Sequence, residues 1–448
     1  MTPSSHESTP QARAPEEPGT GSAPLPLAGV RIADLSRVLA GPYATMLLAD
    51  MGAEVIKVEQ PGRGDDTRSW GPPYAEPTEE HRAAHSPGEA AYFLSVNRNK
   101  RSLAVDLKDP DGLAAVQELC AGSDVVIQNF RPGVIDRLGL GYEEIGKRNP
   151  AVVYCSVSGF GPEHRPQDRP GFDIVVQAES GLMATTGPAD GPASKVGVAL
   201  TDVLTGLNAA VGILGALMRA RATGRGEDIS VSLVNSTLSS LVNLTQQALI
   251  TGTEPARVGN AHTTIVPYQV FPTADAEIVV AAGNDALYRR LCAAIDRPDL
   301  AEDSRYATNP ERVAHREELV GELTATLTSR PADHWMDVLV DAGVPVGRVR
   351  GVLDALRTAD ASGDDVLRAV QHPTAGLLEQ VRAGFRMADT PVPMSAPPLL
   401  GQHSREILTE LGLTSDRIEG LLERGAVQQT DVDRPPASTP HPENPRTS

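Results

Sequence analysis

Cysteine is scarce in this chain. Cys120, Cys155 and Cys292 are the three in 448 residues, far apart and with no C-x-x-C pair. That excludes a disulfide scaffold and a cysteine-rich zinc site, and it fits a reducing, cytoplasmic compartment. Positive charge is in deficit: 40 Lys and Arg against 58 Asp and Glu, a formal net charge of -18. A general nucleic-acid binder needs a basic face to neutralise phosphates, so that class is excluded. A single anionic ligand held by a local basic cluster is not. No run of about 18 apolar residues is present, so neither a membrane-spanning helix nor a membrane partner is expected. No apolar segment follows the start, so a secretory signal is not expected. Aromatic residues are sparse, at 4%, but 40% hydrophobic and 22% charged residues is a globular composition.

Residues 1–24 and 427–448 are rich in Pro, Ser, Thr and Glu and read as disordered tails. Between them the pattern is regular. Short β-type runs at Val30–Leu35, Glu54–Glu59, Leu103–Leu107, Asp124–Asn129 and Ala151–Val157 alternate with helical segments such as Pro42–Met51 and Asp111–Cys120. This rhythm predicts parallel βαβ units, hence an α/β protein with a mostly parallel sheet. The longest apolar stretch, Leu204–Met218, reads as a buried core helix. Trp70–Ala91 reads as a long surface loop. A second α/β-like pattern begins near Ile265, with a strand at Glu277–Ala282 and a helix at Ala286–Ile295. A helical stretch covers Arg316–Ala342. Pro391–Gly401 reads as extended and Ser404–Leu411 as a short capped helix. The domains expected are a large one over 25–245 and 356–426, with a smaller one inserted over 246–355.

Several cofactor and catalytic motifs are absent. The first strand runs into Arg37-Val38-Leu39-Ala40-Gly41-Pro42 without G-x-G-x-x-G, and Thr67 stands where a third Gly would follow Gly62 and Gly64. There is no P-loop, no G-x-S-x-G and no H-E-x-x-H. His81 and His85 have the spacing of helical metal ligands but sit in a Pro/Gly-rich segment, so a metal site is not expected there.

Charged groups remain. Asn97-Arg98-Asn99-Lys100-Arg101 leads into the third strand, Lys108 leaves its far end, and Asn129, Arg131 and Arg137 follow the fourth. Ligands of open α/β sheets gather at the carboxyl ends of strands. These cations fit either a phosphate-bearing ligand or a solvated surface. Asp202 opens the long apolar helix. It reads either as a first-turn capping residue or as a carboxylate kept ionised by the helix N-terminus and available as a nucleophile. Asp173, after the Gly/Pro-rich segment 158–171, is either a turn residue or a second active-site carboxylate.

Read together, these segments resemble the class III CoA-transferase family. The matching pieces are Leu27–Ile32 with Ala40-Gly41-Pro42, Gly52–Glu59, Asn97–Ser102, Asn129–Gly133, and Thr201-Asp202 with Thr223–Gly226. They span about residues 25–426. Within the family the chain most resembles the succinyl-CoA:glutarate (dicarboxylate) CoA-transferases, through Gly64–Pro73, Gly259–His262, Ile265–Gln269 and Pro397–His403.

The resemblance implies a Rossmann-like large domain, a smaller inserted domain and an interlocked homodimer. It implies transfer of coenzyme A from an acyl-CoA to a carboxylic acid, with Asp202 as nucleophile and no cofactor beyond the CoA thioester substrate. Its CoA contacts match Val38, Leu39, Ala40, Val105, Leu107, Lys108, Asn129, Phe130, Arg137 and Leu138. Gln60 stands where formyl-CoA transferases have Arg, and Asn260–Thr263 replaces their tetraglycine loop. Both departures argue against oxalate as preferred acceptor. A dicarboxylate acceptor needs a cation for its distal carboxylate, for which Arg98, with His262 nearby, is the nominee. A 2-methylacyl-CoA racemase of the same fold needs a His and an Asp about the α-carbon. Asp173 matches the Asp, but the His position falls on Gly146, and Phe172 replaces a further His. A nicotinamide oxidoreductase and a non-catalytic CoA-binding protein are the readings of other classes.

Overall fold

The computed structural model describes residues 24–82, 88–161, 169, 171–388, 390 and 392–431. The chain divides into two compact units. The first comprises residues up to Val176, Val198–Ser240 and the chain from Asp365 onward; the second comprises Gln177–Gly197 and Leu241–Asp364.

The first unit is built on one sheet. Its parallel strands are β1 (Arg31–Leu35), β2 (Glu54–Glu59), β3 (Lys100–Val105), β4 (Val125–Gln128), β5 (Val153–Ser158) and β6 (Glu227–Ser232). Their spatial order is β3-β2-β1-β4-β5-β6, and a short antiparallel strand, Val427–Gln428, closes the edge beside β3. The order reverses between β1 and β4, which pair from Ile32↔Val125 to Leu35↔Gln128. Such a reversal opens a crevice at the strands' carboxyl ends, where ligands of doubly wound sheets bind.

Both sheet faces carry apolar side chains, supplied most densely by the Val- and Ile-rich β2 and β4. Ile32, Val55, Ile127 and Cys155 pack on one face against helices α1 (Ala40–Asp50) and, later in the chain, Leu200–Thr223. Ala33, Ile56, Leu103 and Val126 pack on the other, against helix α2 (Pro110–Ala121) and the C-terminal helices Ser404–Glu410 and Ser415–Glu423. Asp109 caps α2 by accepting from the Asp111 and Gly112 amides, with Pro110 in its first turn. The helix Leu200–Thr223, here α3, crosses α1 closely. A Cβ on Gly206 would lie 2.7 Å from the Ala40 carbonyl oxygen, so only glycine fits that crossing.

Alpha-helix α3 has 24 residues and is long and apolar enough to cross a membrane by length and composition. This corrects the expectation that no segment would meet that measure. Thr205, Ala209, Ile213 and Leu217 bury one face against the sheet. The opposite face exposes Leu207, Val211 and Met218.

Other boundaries shift for physical reasons. β3 begins at Lys100 rather than Leu103, because Lys100 and Ser102 are buried in polar networks that the sequence presents as surface. Val427 is ordered in the sheet rather than in a tail: it is buried and pairs with Val105, while Gln428 Oε1 accepts from the Gly62 amide at 2.7 Å. Trp70–Ala91 is not all loop, since Tyr74–Ala75 and Glu89–Ala90 pair as a short antiparallel ladder.

The second unit carries a three-stranded antiparallel sheet in the order Val346–Arg348, Glu277–Ala281, Tyr268–Pro272. The four residues between its first two strands are too few for a parallel crossover and close a hairpin instead. Helices Asp285–Ala294, Arg316–Leu327 and Ala332–Asp341 pack with it around Phe271, Tyr288, Leu323 and Trp335. The inserted unit is thus α+β in pattern. It spans 241–364 with 177–197, against the 246–355 expected.

Candidate active site

The crevice at the sheet's switch point is held from below by buried charge. Lys57 on β2 is fully buried, 2.8 Å from Asp65. Burial pulls its pKa down, but Asp65, Asp34 and Glu59 outweigh that and raise it. Asp34 on β1 accepts from Lys100 at 3.1 Å, Thr45 at 2.6 Å and Ser36 at 2.5 Å. Arg68 bonds Glu59 through two nitrogens, at 2.7 and 2.8 Å. Above this layer the Val38 amide donates to both oxygens of Asp65, at 3.2 and 3.3 Å. Val38 has φ = 71°, a conformation that costs a β-branched residue energy and persists only where its surroundings fix it. Next to it, Arg37 is clamped by Asn129: the Arg37 amide donates to Asn129 Oδ1 at 2.9 Å, and Asn129 Nδ2 donates to the Arg37 carbonyl at 2.8 Å.

Two cavities lie on this framework. One, of about 490 Å³, is lined by the turn after β1 (Arg37, Val38, Ala40), by Asn129–Pro132, by Ser158–Gly161 after β5, by Trp70 and Phe172, and by Asp202. Gly159 and Gly171 touch at its wall, where a Cβ on either would lie within 2.5 Å of the other's Cα. The second cavity, of about 350 Å³, has an apolar floor of Leu35, Val58, Val105 and Leu107, with Gln60, Lys108, Phe130 and Leu138 around it.

Asp202 sits in the first turn of α3, half-buried. Its carboxyl is pushed up to about 7, first by burial and then by the neighbouring Asp173 carboxylate. This corrects the expectation that the helix N-terminus keeps it ionised. The relevant donors are taken: Thr201 donates both its amide, at 2.9 Å, and its hydroxyl, at 2.7 Å, to Asp173 Oδ1. Asp173, from a neighbouring helix, thus satisfies donors in the first turn of α3, and no hydrogen bond reaches the Asp202 carboxyl from the described residues. The Tyr92 phenol is pushed up to about 12, by burial and then by Asp202 and Asp173. Its ring meets Trp70 edge-on at 5.3 Å.

The structure sorts the remaining candidates. Val38, Ala40, Asn129 and Phe130 line the Asp202 cavity, while Gln60, Val105, Leu107, Lys108, Phe130 and Leu138 line the second. Arg137 lies in the short helix Val134–Arg137 at the second cavity's rim, whose wall includes Val134 and Leu138. The Leu39 side chain turns inward onto Met46 and Val96 and lines neither.

Arg98 is corrected. It is buried, and its guanidinium bonds both carboxylate oxygens of buried Asp50, at 3.0 and 2.5 Å. A cation already neutralised inside the core does not meet a substrate carboxylate. Lys100 and Arg101 of the same cluster are likewise in ion pairs, Arg101 with Glu54 and Glu410. His262 belongs to the second unit, where its ring packs on Tyr268 at 5.3 Å and Nδ1 accepts from the Thr264 amide. His81 Nδ1 lies 2.9 Å from Thr78 Oγ1, and His85 is outside the described residues. Gly146, where a racemase would need His, lies in helix Tyr142–Arg148 and lines neither cavity. Arg37, Arg63, Asp66 and Trp70 were missed by sequence reasoning. Arg37 and Arg63 are signalled only by position, in the loops that follow β1 and β2, whereas Asp66 and Trp70 fall within the family-like stretch Gly64–Pro73.

Comparison with known proteins decides the family. A model of CoA-transferase family III matches residues 27–404. The chain belongs to CoA-transferase family III. This CoA-transferase is 43% identical to the succinyl-CoA:glutarate CoA-transferase of Mus musculus over 413 residues, covering 91% of each chain. It is 40% identical to the succinate–glutarate CoA-transferase of Agrobacterium fabrum, covering 86% of this chain and 96% of that one. It is also 40% identical to an acetyl-CoA:oxalate CoA-transferase of Acetobacter aceti, over 76% of this chain and 85% of that one. Among solved structures, a CAIB/BAIF family protein from Brucella suis matches with a TM-score of 0.77 at 36% identity, covering 87% of this chain and all of that one.

The raised Asp202 pKa has a consequence for stability. Its folded value of about 7 exceeds its ordinary 3.8, so the folded state holds this proton more tightly than the unfolded one. The associated stability is present below about pH 4 and is lost as pH rises to about 7. Asp202→Asn, which never ionises, should therefore melt roughly 2–4 °C higher than wild type at pH 8 and at the same temperature near pH 4. Thermal melts at the two pH values check this; a variant that melts lower at pH 8 contradicts it.

Proposed function

We propose that the enzyme transfers coenzyme A from succinyl-CoA to a dicarboxylic acid such as glutarate, with Asp202 as covalent nucleophile. The observation that carries the mechanism is a half-buried carboxyl at the wall of the switch-point cavity, with no hydrogen bond from the described residues to blunt it. The substrate pair is supported by the similarity to the glutarate CoA-transferases of Mus musculus and Agrobacterium fabrum.

The ionised Asp202 carboxylate attacks the donor thioester carbonyl, and the C–S bond breaks to release CoA thiolate. The product is a mixed anhydride of Asp202 and the donor acyl group. The thiolate then attacks the Asp202 carbonyl, freeing the donor acid and leaving an aspartyl-CoA thioester. The acceptor carboxylate attacks that thioester, again expelling thiolate and forming a second anhydride. Attack of the thiolate on the acceptor carbonyl gives the new acyl-CoA and restores Asp202. Covalent catalysis divides one hard exchange into steps that each conserve an activated acyl bond. The nucleophile comes from the chain itself, and the proposed reaction uses no cofactor beyond the CoA thioester.

Burial that raises the Asp202 pKa also strips water from the carboxylate once it is ionised. Asp173, fixed by Thr201, supplies the neighbouring negative charge. The distal carboxylate of a dicarboxylate acceptor calls for a cation in the Asp202 cavity, and Arg131, which lines it, has no ion pair among the described residues. We propose a cytoplasmic location, supported by three free and buried cysteines that suit a reducing compartment.

We also propose that it works as a homodimer, interlocked as the family resemblance implies. The outward apolar face of α3, with Leu207, Val211 and Met218, supports a partner there, because a helix apolar on both faces is normally covered on both. Sedimentation equilibrium should give twice the chain mass, and a monomer at micromolar concentration contradicts it.

A donor and acceptor screen by mass spectrometry tests the activity. Succinyl-CoA with glutarate should yield glutaryl-CoA, and Asp202→Ala should lose at least about 1000-fold in rate, the scale seen when a covalent nucleophile is removed. Because only ionised Asp202 attacks, kcat/KM should fall about tenfold per pH unit below about 7. Full transfer by Asp202→Ala overturns the mechanism.

A further inference from the structure

The two cavities share a waist. Arg37, Arg63, Asp66 and Phe130 line both. Asp66 bonds the two arginines at once, Arg63 at 2.7 Å and Arg37 at 3.3 Å. Two guanidiniums on one carboxylate leave a net positive charge. Each guanidinium has five N–H donors, and one on each goes to Asp66, so most remain to be used. Arg37 and Arg63 are largely exposed, with 52% and 72% of their side chains accessible. The backbone at Arg37 is fixed all the same. Arg37 is clamped by Asn129 and followed by Val38 on Asp65, and its guanidinium lies 5.9 Å from the Phe130 ring centre.

We propose that Arg37 and Arg63, yoked by Asp66, form the binding site for the diphosphate of the acyl-CoA substrate. This rests on the reading of the protein as an acyl-CoA enzyme with Asp202 as nucleophile. A thioester at Asp202 places the reactive end of coenzyme A in the larger cavity. The apolar floor of the smaller cavity, Leu35, Val58, Val105 and Leu107, suits the flat adenine. The diphosphate lies between these two ends of the molecule, so it passes the waist. Paired guanidiniums give a diphosphate two-pronged, charge-assisted hydrogen bonds, which is the geometry that favours Arg over Lys. The site also explains how a chain of net charge -18 admits a polyanion: the positive charge is placed at one neck.

The test measures dissociation constants by calorimetry for CoA, 3′-dephospho-CoA and pantetheine, with wild type, Arg63→Ala and Arg37→Gln. The 3′-dephospho compound keeps the diphosphate and lacks the ribose phosphate; pantetheine lacks both. Each variant should weaken CoA and 3′-dephospho-CoA by the same factor, about tenfold for one charge-assisted contact, and leave pantetheine unchanged. Both substitutions change exposed side chains, and melting temperatures matching wild type confirm folding. Loss confined to CoA assigns the arginines to the 3′-phosphate and overturns the proposal, as does equal loss for all three ligands or none. A wild-type chain that binds none of the three overturns the acyl-CoA reading itself.

Discussion

The Asp65 carboxylate, buried between Lys57 and the Val38 amide, governs the shape of the switch-point crevice. Its pKa is held at about 2; burial opposes the charge, and Lys57 with the Thr67 amide and hydroxyl more than offsets burial. With Asp65 charged, Lys57 has a partner inside the sheet and Val38 is pinned at φ = 71°. That turn puts Arg37 on one side and Ala40, the start of α1, on the other, and both line the Asp202 cavity. Buried ion pairs add little net stability, since desolvation consumes most of the Coulomb gain. Breaking one is costly because a lone charge is left behind. Their effect here is therefore on position more than on total stability.

Asp202 shows the opposite electrostatic arrangement. The chain uses Asp173 to satisfy the first turn of α3, through Thr201, and leaves Asp202 without that relief. Its pKa rises because nothing compensates its burial and a second carboxylate lies near. A group treated so is destabilising when charged and reactive for the same reason. Two neighbouring carboxylates from separate helices thus take different parts: one holds the first turn of α3, the other is held ready.

Most of the first unit's sheet was legible in the sequence, because Val- and Ile-rich runs between turn residues mark parallel strands whichever face they present. The shifted start of β3 and the reassignment of Arg98 share one cause. Lys100, Ser102 and Arg98 look like surface residues, yet each is buried against a partner far away in sequence: Asp34, Glu59 and Asp50. Only tertiary structure supplies those partners. The same blindness turned Arg98 into a substrate cation and moved the start of β3. At the site, Asp202, Lys108, Asn129 and Phe130 could be found from strand ends and from family resemblance. The waist of Arg37, Arg63 and Asp66 could not, because three charged residues in two loops carry no motif until the fold brings them together. The raised pKa of Asp202 is not legible in the sequence, which shows its place on the helix but not that Asp173 takes the Thr201 donors.

If Asp202 becomes covalently acylated, the intermediate can be trapped. The enzyme is mixed with succinyl-CoA without acceptor, treated with hydroxylamine, digested and analysed by mass spectrometry. A hydroxamate is expected on the peptide carrying Asp202, formed only when acyl-CoA is present and absent from Asp202→Asn. A hydroxamate on another carboxylate, or transfer activity with none on any peptide, would contradict it.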